Sequence, residues 1–197
     1  MRRIIFATSN EGKMKDIREI LKDLDIELLS LKDAGLNPDI EENGNTYEEN
    51  AIIKAKMVME LTGEVVLADD SGIEVDYLDK APGVYSARFL GEDTPYSVKN
   101  QYIIDKLADA KDKERSARFV CVIACAFPNG EIRTFRGTIE GYIAEQISGT
   151  NGFGYDPIFY VPEYQCTTAE MAQELKNEIS HRGKALRAMK EDMKDCL

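Results

Sequence analysis

The sequence predicts an α/β protein built on a mixed β-sheet, and three observations carry that prediction. Short apolar, β-branched runs alternate with helix-period stretches through the first half of the chain. The second half holds two long strand-like runs joined by Asn129-Gly130, a strong hairpin signal. No internal repeat, linker or low-complexity segment interrupts them, so the sheet is expected to be shared by the whole chain. With 197 residues, of which 43% are hydrophobic and 31% charged, the chain can bury one sizeable core, and a single domain over 1–197 is expected.

The elements follow in order. Residues 3–8 read as a buried strand, and Ser9-Asn10 supplies capping residue types for a helix running to Leu21. Ile17, Ile20, Leu21 and Leu24 fall at i, i+3, i+4 and i+7, which puts them on one packing face. A second strand is expected over 26–30, and the stretch 33–45, rich in Gly, Asn, Pro and acid, reads as irregular. Thr46 with Glu49 three residues later is a capping box for a helix through Leu61 that Gly63 ends. Residues 65–68 form a buried strand whose end falls at Asp69-Asp70-Ser71-Gly72, where polarity changes abruptly. A helix over 95–110, strands over 116–128, 132–143 and 158–161, a glycine-rich loop over 148–157 and two terminal helices complete the chain.

Charge and composition exclude several classes. Thirty-six acidic against 25 basic residues give a net charge of -11, which repels a nucleic-acid backbone or an anionic membrane over any broad surface. No apolar run approaches the ~20 residues of a spanning helix, and Met1-Arg2-Arg3 leads straight into a strand, so no signal peptide is expected. Cys121, Cys125, Cys166 and Cys196 form no CxxC pair and His181 is the only histidine, so reduced thiols in a cytoplasmic protein are expected rather than a zinc site or a disulfide framework.

Five places could carry chemistry. Thr8, Ser9, Asn10, Glu11, Gly12 and Lys13 put hydroxyls, an amide, a glycine and a cation between a strand and a helix N-terminus, a phosphate cradle in one reading and a capped helix with a solvated lysine in the other. Glu41-Glu42 and Asp69-Asp70 are pairs of adjacent carboxylates that a hard divalent ion, magnesium by our choice, would neutralise; a solvated acidic turn is the competing reading, weaker for Asp69-Asp70. The loop around Phe153, Gly154, Tyr155 and Asp156 offers close backbone approach, a stacking plane and an acceptor for ring N–H groups, against the alternative of an aromatic core plug. Lys176 and the string Ser180-His181-Arg182-Gly183-Lys184 concentrate positive charge that would otherwise be solvated helix surface.

These segments, together with Asn43 to Ala51, Lys54-Ala55 and Pro82 to Phe89, resemble the inosine triphosphate pyrophosphatase family in order and spacing over nearly the whole chain. The resemblance implies an elongated fold of two lobes with a central substrate cleft, a homodimer, and magnesium-dependent hydrolysis of inosine, deoxyinosine and xanthosine triphosphates to the monophosphate and pyrophosphate. By matching position it implies Asp70 as general base and Glu42 and Asp70 at the metal, with Glu41 and Asp69 as alternatives there. It implies substrate contacts from Thr8 to Lys13, Lys54, Ser71, Phe153 to Asp156, Lys176, His181 and Arg182. A related pyrophosphatase of Maf-like type and a noncatalytic nucleotide sensor are the two other readings.

Overall fold

The computed structural model describes residues 2–194; Met1 and Cys196, which entered the reading above, lie outside them. The order is β1 (Arg2–Phe6), α1 (Glu11–Leu21), β2 (Ile26–Ser30), α2 (Tyr47–Thr62), β3 (Val65–Val75), α3 (Tyr96–Lys106), β4 (Ser116–Ala126), β5 (Ile132–Ile143), β6 (Phe159–Val161), β7 (Cys166–Thr167), α4 (Gln173–Ile179) and α5 (His181–Met193), with short 3₁₀ turns between some of them. The strands hydrogen-bond in the order β2-β1-β3-β4-β5-β6-β7. β1 is parallel to both β2 and β3, whereas β6 is antiparallel to β5 and β7, so the sheet is mixed as expected. No described helix is long and apolar enough to cross a membrane.

Two compact units divide the chain: one from the described parts of 1–70, 121–137 and 181–197, the other from 71–120 and 138–180. In the first, Ile4 and Phe6 of β1 and Val65 and Leu67 of β3 pack with Met14, Ile17 and Leu21 of α1 and with Ala185, Leu186 and Met189 of α5. In the second, Ile73 and Val75 of β3 join Ile103, Ile104 and Leu107 around α3 and Phe119, Ile139 and Phe159 from the strands.

Local chemistry sets most boundaries. Asn10, in the extended region, accepts the Lys13 N–H and starts α1; Thr46 accepts the Glu49 N–H and starts α2; Gly63, at φ 68°, ends α2. The box at α2 closes differently from the expected form, because the Glu49 carboxylate takes the Asn45 N–H at 2.6 Å. Gly130, at φ 89°, closes the hairpin with its N–H on the Phe127 carbonyl. α3 ends at Lys106, earlier than the expected 110. The buried Arg115 guanidinium takes the carbonyls of Leu107 and Ala110, which finish this segment as a turn, together with those of Ile143 and Ala144.

The largest departure is β3. Asp69-Asp70-Ser71-Gly72 does not end the strand but lies inside an 11-residue one, and both aspartates are buried. Charge ends a strand when it must reach water; here cations from the flanking helices neutralise it in place, and the backbone ladder continues.

Candidate active site: paired aspartates and a glycine-rich loop

In the first unit, strand alternation gives the two aspartates different surroundings. Side chains two apart on a strand share a face, so Asp69 follows Val65 and Leu67 toward α1 and α5. Its oxygens lie 3.1 and 3.0 Å from Lys13 Nζ, and Oδ2 lies 3.4 Å from Arg182 Nη2. Arg182 Nη1 in turn lies 3.4 Å from Oδ2 of the buried Asp16. Asp70 turns toward α2. Asn50 Nδ2 donates to its Oδ2 at 3.2 Å, and Lys54 Nζ lies 3.5 Å from its Oδ1 and 3.0 Å from Glu42 Oε2.

These surroundings set opposite protonation tendencies. Burial alone would raise the Asp69 pKa, but Lys13, Arg182 and Lys54 together outweigh it and hold the carboxyl well below the usual range. At Asp70 burial is again the largest influence and wins: Lys54 and Asn50 pull the pKa down, Glu42 pushes it up, and the carboxyl rises to about 6. Asp70 is therefore not a weakly basic aspartate of ordinary pKa. It is mostly ionised at neutral pH and a better proton acceptor than a free aspartate. Burial favours neutral Lys54, yet Asp70, Asp69 and Glu42 overrule it, so the group stays an ammonium.

That ammonium tests the fit of a metal. It is a cation already seated between carboxylate oxygens of Glu42 and Asp70, and an all-oxygen donor set suits a hard divalent ion such as magnesium. Glu41 is exposed. Among the described residues no three metal-ligating side chains cluster. Two carboxylates, with the remaining positions left to water and phosphate oxygens, are the usual protein share for magnesium.

The α1 N-terminus adds donors. Thr8 Oγ1 accepts the Asn10 N–H at 3.2 Å, Ser9 and Glu11 are exposed, and Gly12 is half-buried. Both readings of this segment hold: it is a capped helix start, and its lysine joins a buried carboxylate rather than solvent. His181 and Arg182 open α5 and are buried, not solvated surface. Arg182 is 3% exposed, so Arg182→Ala is expected to do more than weaken substrate binding. It removes the cation beside the buried Asp16 and Asp69 and should cost about 3–5 kcal/mol of stability, measurable by urea unfolding. An unchanged unfolding midpoint would show that these carboxylates need no cation there.

In the second unit the glycine-rich loop is organised by Asp156. Its Oδ2 accepts the Phe153 N–H at 2.8 Å and Lys176 Nζ at 2.6 Å, and its Oδ1 accepts Thr168 Oγ1 at 2.8 Å. Lys176 Nζ lies 5.1 Å from the centre of the Phe153 ring. Gly152, at φ 74°, is required here: a Cβ would fall 2.2 Å from Asp156 Oδ2 and 2.7 Å from Lys176 Nζ. Asn100 holds the Gly154 carbonyl, the Tyr155 hydroxyl donates to the Ser86 carbonyl, and Ser71 is half-buried. Three protein donors converge on the Asp156 carboxylate, which holds Phe153 and Lys176 together; Oδ1, with one of these donors, keeps acceptor capacity for the expected ring N–H.

Sequence reasoning missed Asn50, Asp16 and Thr168. Asn50 could have been found, because an asparagine in a helix of good formers, four residues before Lys54 on the same face, is out of place unless its amide has work. Asp16 sits beside Ile17 on the buried side of α1. Thr168 gave no local signal.

These features define a mixed α/β protein whose first unit sets two buried aspartates among several cations, which suit a ligand carrying several negative charges, and whose second unit holds a lysine–aromatic pair. The chain belongs to the Ham1 family, whose model matches residues 4–192. It is 47% identical to a dITP/XTP pyrophosphatase of Clostridium perfringens, with all of both chains covered, and 50% identical to one of Desulforamulus reducens, covering 94% of this chain and 92% of that one. Its structure is similar to a Ham1 protein from Coxiella burnetii, with a TM-score of 0.90 and 42% identity over the whole of both chains.

Proposed function

We propose that the protein is a magnesium-dependent nucleoside triphosphate diphosphatase that hydrolyses inosine, deoxyinosine and xanthosine triphosphates to the monophosphate and pyrophosphate. One observation carries the reading: Asp70 and Glu42 converge on a single ammonium beside the Asp69–Lys13–Arg182 group, which is what in-line attack on a polyanion requires. Membership of the Ham1 family and relatives named dITP/XTP pyrophosphatase support it.

The geometry supports the following roles. Asp70 accepts the proton of the attacking water; Glu42 and Asp70 would hold the metal, with Glu41, which is exposed, and Asp69, which faces Lys13 and Arg182, as the alternatives there. Magnesium, when bound, supplies charge neutralisation for the triphosphate and polarises water. Lys13 and Lys54, with Thr8, Ser9, Asn10, Glu11, Gly12 and Ser71, take the phosphate and sugar end, and the α1 N-terminus adds its backbone N–H groups. Phe153, Gly154, Tyr155 and Lys176 receive the base, Asp156 supporting them, while His181 and Arg182 complete the substrate contacts. The reading includes a homodimer in the cytoplasm. The exposed Tyr85, Leu90, Val98 and Tyr102 supply apolar surface for such a contact, and sedimentation checks it.

Cleavage between the α and β phosphates is the expected result, with oxygen from labelled water in the monophosphate. Orthophosphate and a nucleoside diphosphate as primary products would sink the assignment. Binding of the triphosphate without turnover would favour a sensor instead.

A further inference from the structure

Asn50 stands inside α2, where asparagine is a poor helix former, and it is completely buried. Its side chain makes two bonds, one to the loop just before α2 and one to β3, that together fix its orientation. Oδ1 accepts the Gly44 N–H at 2.8 Å, and Nδ2 donates to Asp70 Oδ2 at 3.2 Å. A backbone N–H can only donate and a carboxylate can only accept, so the amide fits one way round. No other residue of this size offers an acceptor and a donor in that geometry. The approach is close on the loop side as well: a Cβ on Gly44 would fall 2.7 Å from Asn50 Oδ1.

We infer that Asn50 is a positioning residue that assembles the divalent site. It holds Asp70 Oδ2, leaving Oδ1 toward Lys54, and it pins the loop that carries Glu42 two residues before Gly44. One amide thereby sets the distance between two carboxylates that come from separate parts of the chain. The inference rests on the proposed roles of Asp70 and Glu42.

Two variants separate the two bonds. Asn50→Asp keeps an acceptor for Gly44 but sets a second carboxylate against Asp70. Gly44→Ala keeps the amide but forces the loop away from it. Both are expected to lower kcat and weaken magnesium half-saturation by about 10- to 100-fold, the usual effect of losing a group that orients a metal ligand, with KM changed far less. The second readout needs no turnover: magnesium is expected to raise the Tm of the parent protein, and that rise should shrink in both variants. Unchanged magnesium half-saturation in a folded Asn50→Asp protein would overturn the inference, as would a lowered Tm with full activity per folded molecule. If Asn50→Asp fails to fold, the same two measurements on Gly44→Ala decide. If the parent releases no pyrophosphate from any triphosphate, the functional reading falls, and the magnesium-induced Tm shift of parent against variant still decides whether Asn50 builds the site.

Discussion

Asp70→Asn protein is expected to bind substrate with a KM within a few-fold of the parent and to turn it over ~10²- to 10⁴-fold more slowly, the loss typical of a removed general base. The shape is conserved, and the new amide can still accept from Asn50 through its own oxygen. The proton acceptor is gone, and so is one metal charge. The same variant should be more stable in a chelator. The Asp70 pKa is raised from 3.8 to about 6 in the folded protein, so between those values the folded chain binds more protons than the unfolded one. Stability therefore falls as pH rises through that window, and the full cost, on the order of 2–3 kcal/mol, stands above it. Asparagine removes that cost, so in EDTA the variant should melt several degrees higher than the parent at pH 8, with no gain at pH 4. Near-normal kcat at saturating magnesium would place the base elsewhere. A lower Tm at pH 8 in EDTA would mean that the Lys54 pairing outweighs burial.

Inosine triphosphate is expected to be hydrolysed with at least ~10²-fold higher kcat/KM than adenosine triphosphate. Phe153 can stack on any purine and discriminates little. Lys176 is different: an ammonium only donates, and Asp156 holds it beside the ring. A 6-oxo group accepts from it. The 6-amino group of adenine presents hydrogens to hydrogens, and a buried donor left without an acceptor costs about 1–3 kcal/mol, more when charged. Lys176→Met should therefore narrow the inosine-to-adenosine ratio at least tenfold, largely by losing the preferred substrate. Guanine carries the same 6-oxo group, so its rejection depends on the 2-amino group. Comparable efficiencies for inosine and adenosine triphosphates in the parent would overturn the selectivity argument even with pyrophosphate release established.

The parts of this protein that could be read from its residues are those that local chemistry decides. Asn10 and Thr46 cap the helices they precede, Gly63 ends one, and the returning strand of the hairpin begins and ends at Ile132 and Ile143 as its pattern indicates. The parts that were not legible depend on partners distant in sequence. Nothing near Asp69 announces Lys13, 56 residues earlier, or Arg182, 113 residues later, and without them a strand carrying Asp-Asp appears to end there. Asp156 reads as an open acceptor until Lys176 and Thr168 close around it. Asn50 lies 20 residues from the carboxylate it orients. The family resemblance marked Lys13, Asp69, Asp156, Lys176 and Arg182 as a set, while their partnerships came from the fold.

The uninterrupted course of β3 makes the reading frame of that strand part of the catalytic design. Because neighbouring residues point to opposite sides, a one-residue deletion anywhere between Val65 and Ala68 would carry Asp70 into the place of Asp69, in the grip of Lys13 and Arg182, turn Asp69 to the other side two positions short of where Asp70 stood, and bring Ser71 beside Glu42 instead of the proton acceptor. The composition would be nearly unchanged and every catalytic side chain still present, yet each would meet the wrong partners. Moving a carboxylate by two positions is a milder lesion: it stays on its own side and travels about 6.5 Å along the strand. The count of residues in β3 ahead of Asp69 is thus a constraint on the site separate from what those residues are.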